Sequence, residues 1–240
     1  MPFHTGFLIF PNLTQLDFTG PYEVLSRLGT PSAPDVPSRF PDARTHVVAK
    51  TLDPVPSDRG LSILPTTTFA NCPPLDLLCV PGGGGVAGAI ADPETVAFVR
   101  AQGERARYVT SVCMGAFLLG AAGLLKNRRA TTHWAYVDLL PLVGATHAPG
   151  RVVRDGNRIT SGGVTAGIDF AFTVIAELAG PEVAKAVQLG IEYDPAPPFD
   201  SGTPAKAPAP ALALMRARNA PAHAALRAAL EALPPPPGNG

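Results

Sequence analysis

The chain has 240 residues, 46% of them hydrophobic, with 19 basic and 19 acidic side chains and no net charge. That length suits one large α/β domain with a proper core. A neutral balance without a basic block argues against nucleic acid as a partner, because such binding rests on clustered Lys and Arg that neutralise phosphate.

No apolar stretch reaches the roughly 20 residues of a membrane span, so no membrane partner is expected. Cys72, Cys79 and Cys113 form an odd set without CxxC or Cys/His spacing. This speaks against a disulfide scaffold and a zinc site, and for a reducing cytoplasm. Neither a metal nor another cofactor is expected.

In chain order, Phe3 to Phe10 reads as a first strand rather than a signal peptide. The loop PNLTQLDFTGP follows, and then a short helix over Tyr22 to Leu28 that begins after Pro21. Residues 30–42 read as a proline-rich surface loop, Ala43 to Lys50 as the second strand, and Leu61 to Pro65 as half of a hairpin. Leu75 to Val80 is an apolar strand that runs into PGGGG. Asp92 opens a helix through Arg105, with Pro93 suited to its first turn. Arg107 to Val112 reads as a buried strand and Gly115 to Leu125 as a packed helix.

Arg151 to Val153 and Arg158 to Ser161, joined by Asp155-Gly156-Asn157, carry a hairpin signature. Two helices follow, over Gly167 to Ala179 and Pro181 to Tyr193. Continuous apolar strands alternating with helices indicate a mostly parallel sheet covered on both faces. Residues 1–193 are expected to form this domain. Residues 194–240 form a proline-rich arm and a helix over Leu212 to Leu233, lying on the body or on a partner subunit.

Cys113 sits where a buried strand meets a helix. Unpaired N–H groups at a helix amino terminus favour a thiolate, and strand–nucleophile–helix is the elbow geometry that presents a reactive side chain. A buried, inert cysteine is the alternative. In an open α/β sheet ligands bind beyond the carboxyl ends of the strands. Three loops should therefore converge: the one holding Asp17, Pro81 to Gly85, and the elbow.

Asp17, flanked by Leu16 and Phe18, reads either as a helix cap or as a carboxyl whose proton affinity an apolar pocket raises. Backbone amides of Gly83, Gly84 or Met114 are candidates to stabilise developing charge or contact substrate. His133, in TTHWA, reads as a hydrogen-bonded structural group at a helix start more readily than as a base for Cys113. Thr132, with Thr131, either caps that helix or bonds inside the site. Trp134 and Tyr136 read as packing residues.

The segments QLDFTGPYEVLSR, LCVPGGGG, TSVCMGAFLLGAAGLLKNRRATTHWA and VVRDGNRITSGGVTAGIDF together resemble the PfpI-like superfamily. The resemblance spans about residues 3–205. It implies a flavodoxin-like three-layer α/β sandwich, with the family nucleophile on Cys113. The aspartate of QLDFTGP, combined with IEYDPAPPFDSG, points to the isonitrile hydratase branch, with Asp17 as the acidic partner. That branch implies a small-molecule isonitrile as substrate, no cofactor, and a homodimer.

In the resembled branch threonine commonly follows the nucleophile, whereas this chain has Met114, which keeps the backbone N–H and loses the hydroxyl. The expected chemistry is attack by an ionised Cys113 on the isonitrile carbon, with protonated Asp17 supplying the proton. Other cysteine-dependent activities of the superfamily, ligand sensing of the kind found in AraC-type regulators, and redox sensing through Cys113 are the competing functions.

Overall fold

A computed structural model describes residues 2–233. The elements in order are β1 (His4–Leu8), α1 (Gln15–Leu25), β2 (Arg44–Ala49), β3 (Val55–Pro56), β4 (Ser62–Ile63), β5 (Thr67–Thr68), β6 (Leu77–Val80), α2 (Val86–Ala91), α3 (Pro93–Arg105), β7 (Tyr108–Val112) and α4 (Gly115–Ala121). After them come β8 (Arg129–Ala130), a 3-10 helix (Trp134–Val143), β9 (Thr146–His147), β10 (Val152–Asp155), β11 (Arg158–Ser161), α5 (Ala166–Ala179), α6 (Pro181–Gly190) and α7 (Ala209–Glu231).

Seven strands form one sheet in the order β10-β11-β7-β6-β1-β2-β5. Every pairing is parallel except β10 with β11. The five central parallel strands, β2-β1-β6-β7-β11, follow the doubly wound order of flavodoxin-like folds. Helices α1, α5 and α6 pack together as one layer, and α2, α3, α4, the 3-10 helix and α7 as the other. The three-layer sandwich expected from the sequence is the one observed.

Burial explains the strand sequences. Leu77, Leu78, Cys79 and Val80 of β6 are all buried, as are all five residues of β7, because both faces of these strands are covered. The hairpin closes at Asp155 opposite Arg158 around the two-residue turn Gly156-Asn157, and Gly156 adopts φ +62°. Asp92 caps α3 by accepting from the Glu94 N–H.

Two expectations require correction. Helix α1 begins at Gln15, so the segment read as a loop is helical, and Asp17 lies in its first turn rather than capping a helix near Gly20. Pro21 was expected to precede the helix. It instead sits inside α1, where its ring packs on Gly167 of α5, and that packing outweighs the backbone hydrogen bond a proline cannot donate. Helix α4 stops at Ala121 rather than Leu125, because Gly123 turns left-handed (φ +81°) just beyond it. Helix α2, built from small residues, went unread.

Helix α7 spans nearly the anticipated range and packs on α2 and the 3-10 helix of its own body, burying Leu226 and Leu230. The terminal segment PPPPGNG lies outside the described residues.

Candidate active site

The site straddles the switch point of the sheet. Helix α1 follows β1, the glycine loop follows β6 and the elbow follows β7, so three adjacent carboxyl-end connections meet. Cys113 itself adopts φ +56°, a left-handed conformation that a non-glycine residue holds only when its surroundings over-determine it. Those surroundings are present. The Cys113 N–H donates to the carbonyls of Ser161 (3.1 Å) and Gly162 (3.0 Å), and the Thr132 hydroxyl donates to the Cys113 carbonyl at 2.7 Å. Gly115 lets the chain pass against β6: a Cβ there would sit 2.2 Å from the Val80 carbonyl oxygen.

Asp17 is fully buried. One carboxyl oxygen, Oδ2, accepts the Gly82 N–H at 3.0 Å, and the other, Oδ1, has no partner among the described residues. Gly82 is the meeting point. A Cβ on it would lie 2.5 Å from the Met114 nitrogen, 2.8 Å from Asp17 Oδ2 and 2.9 Å from Cys113 Cβ. The Asp17 carboxyl and the Cys113 side chain therefore face one small space from two sides.

Burial pushes the Asp17 pKa up to about 7, against the lowering effect of the Gly82 N–H and of contact with the Cys113 thiol. Burial also pushes the Cys113 thiol well above its ordinary range, with the Asp17 charge adding to it, while the N–H groups of Met114 and Val164 work in the opposite direction. This corrects the expectation of a sulfur ionised at rest by its helix terminus. Desolvation outweighs two N–H donors at full burial. Ionisation of Asp17 leaves one proton on the pair, held by the sulfur.

Of the other sequence candidates, Met114 lies where expected, at the start of α4, with its N–H towards the sulfur. Gly83 (φ +118°) packs on the backbone of Asn12 to Thr14 and Gly84 faces open space, so Gly82 rather than either of them touches the pair. Thr132 bonds to the elbow. His133 caps the 3-10 helix by accepting the Ala135 N–H at 3.2 Å, and its ring lies over Gly163, where a Cβ would meet it at 2.3 Å.

Sequence reasoning missed Val164 (φ +37°), which follows β11 in GGVTAG and brings a second N–H to the sulfur. Tyr136, read as a packing residue, is buried as expected, and burial pushes its phenol up, with the Cys113 charge adding to it. No sequence signal marked Val164: it is the parallel pairing of β11 with β7 that carries its carboxyl-end loop to the same edge. Among the described residues, no cluster of three or more His, Cys, Asp or Glu could hold a metal ion, and no helix is long and apolar enough to cross a membrane.

The chain is 54% identical over 221 residues to the isonitrile hydratase of Pseudomonas putida, with 92% of each chain covered. A crystal structure of a ThiJ/PfpI family protein from Pseudomonas syringae superposes with a TM-score of 0.89 at 43% identity, covering 96% of this chain and 91% of that one. The HTH-type transcriptional regulator GbdR of Pseudomonas aeruginosa is 29% identical over 197 residues, and this chain spans about half of that regulator's length (51%). The DJ-1/PfpI family model matches residues 5–177. With that match over most of its length, the elbow and the strand order, the chain belongs to the DJ-1/PfpI family.

Proposed function

We propose that this protein adds water to an isonitrile and releases the N-substituted formamide, with Cys113 as nucleophile and Asp17 as acid and base. The observation that carries this reading is a fully buried carboxyl, ionising only near 7, that shares the space over Gly82 with a strained elbow cysteine. The likeness to the Pseudomonas putida hydratase supports it.

The one-proton pair supplies both reagents the substrate needs. An isonitrile carbon accepts a nucleophile and a proton on the same atom. As substrate enters, the thiol proton passes to the Asp17 carboxylate and the freed thiolate forms the S–C bond. Asp17 then delivers that proton to the same carbon, leaving an S-bound thioimidate and an ionised carboxylate. Asp17 next takes a proton from water as the hydroxyl adds to carbon, and passes it to nitrogen. Collapse forms the carbonyl, breaks the S–C bond and returns the hydroxyl proton to the pair. The N–H groups of Met114 and Val164 stabilise the sulfur while it is negative or leaving. Met114 supplies no side-chain hydroxyl to this site, so its backbone does this work alone.

Below the first ionisation both groups are protonated and the thiol has no acceptor. kcat/KM for formamide formation is therefore expected to fall about tenfold per pH unit below about 7 and to level off above it. A profile flat from weakly acid to weakly alkaline pH would remove the shared proton from the mechanism.

A homodimer in a reducing cytoplasm completes the reading. Leu189 of α6 and Phe199 of the arm are 83% and 80% exposed, apolar surface that a second copy would cover. Cys72, Cys79 and Cys113 are all unpaired.

A further inference from the structure

The amino-terminal half of α7 stands over Trp134 without closing on it. Leu212, Met215, Arg216, Asn219, Ala220 and His223 recur at helical spacing along one stripe facing that ring. Between stripe and ring lies a cavity of about 310 Å³, and a smaller one of about 130 Å³ continues under the arm at Ser201 to Pro204. The larger is at the lower end of small-molecule sites, roughly 300–1,000 Å³.

Its chemistry is specific. Trp134, Ala135 and Ala220 give it apolar walls, and Asn219 and His223 add polar ones. Asp138 is already engaged by His223 (2.9 Å) and Arg227 (3.2 Å), and the described ion pairs leave Arg216 without an acid. An exposed, unpaired guanidinium on a wall that an indole also lines matches a flat group that ends in a carboxylate.

Short links tie the cavity wall to the elbow. Thr132 bonds directly to the Cys113 carbonyl. Trp134 is two residues on, so its Cα is within about 7.6 Å of that of Thr132. Tyr136, which feels the Cys113 charge, stacks on His223 of the cavity wall with ring centroids 5.8 Å apart.

We propose that this cleft receives the substituent on the isonitrile nitrogen and selects substituents that end in a carboxylate, which Arg216 meets. This rests on the hydratase reading and names its substrate class.

Trp134 is the chain's single tryptophan, so binding reports directly through its fluorescence. The probes are 4-formamidobenzoate, the hydration product of 4-isocyanobenzoate, and neutral formanilide. The acid is expected to quench Trp134 and to bind about tenfold or more tighter than formanilide. Arg216→Gln should abolish that preference, Arg216→Lys should restore part of it, and Arg218→Gln should leave it intact.

Equal affinity for acid and neutral probe, or no change in fluorescence, overturns the proposal. Turnover of 4-isocyanobenzoate and phenyl isocyanide, followed separately, tests the reaction. Quenching without any formamide would sink the hydratase reading and leave the anion cleft standing. Formamide without acid preference would sink the cleft alone.

Discussion

Asp17→Asn is expected to lower formamide production by roughly two to four orders of magnitude, while making the fold more stable at neutral and alkaline pH. Both effects come from one buried proton. In the folded chain the carboxyl ionises near 7 rather than at its ordinary 3.8, because burial disfavours the charge. Stability from this group is therefore fully present below about 3.8 and is lost as pH rises through about 7. The loss comes to about 4 kcal/mol.

Asparagine keeps the shape and carries no charge, so the gap between variant and wild type should widen from about pH 4 to about pH 8 in denaturant melts. It also has no exchangeable acid to give the substrate carbon and no base to take a proton from water. A variant as active as wild type, or a stability gap independent of pH, would contradict the account. Trading stability for a poised group is what a working site is expected to do.

Gly82→Ala should strike directly at the Asp17–Cys113 pair. Its new methyl would press on the Met114 nitrogen, Asp17 Oδ2 and Cys113 Cβ, all within 2.9 Å. The Met114 nitrogen is backbone, and Asp17 and Cys113 belong to packed elements, so none can yield cheaply. The overpacking costs about 1–3 kcal/mol. More seriously, it separates Asp17 from Cys113, and in the proposed mechanism displacements on the order of 1 Å at the reaction centre cost about a hundredfold in rate. Gly88→Ala on the nearby helix α2 meets nothing within 4 Å and serves as the comparison. It should keep full activity in the formamide assay and gain slightly in helix stability.

The legible and illegible parts of this molecule divide along physical lines. The elbow could be read because its signals are local: a buried strand, a cysteine, a glycine two residues on. Asp17 could be read from its apolar neighbours. Its helix could not, because Pro21 looks like a helix start until the packing of its ring on Gly167 is known. Val164 lay in the unassigned stretch between the hairpin strand ending at Ser161 and the helix expected from Gly167. Only the parallel register of β11 with β7 sends that loop to the site.

The protonation state was the least accessible feature. A helix terminus beside a cysteine suggests a thiolate, but the balance turns on how deeply the sulfur is buried, a property of the whole sandwich. The same holds for the cleft at Trp134, whose walls come from residues 134 and 216–223, far apart in sequence.

The central claim is that substrate carbon becomes bonded to one sulfur. Acid-quenching the protein during turnover of phenyl isocyanide and weighing its peptides tests this directly. A gain equal to the whole isonitrile mass is predicted on the peptide carrying Cys113, with neither adduct nor formamide from Cys113→Ala. Formamide from that variant, or an adduct lodged on Cys72 or Cys79 instead, would contradict it.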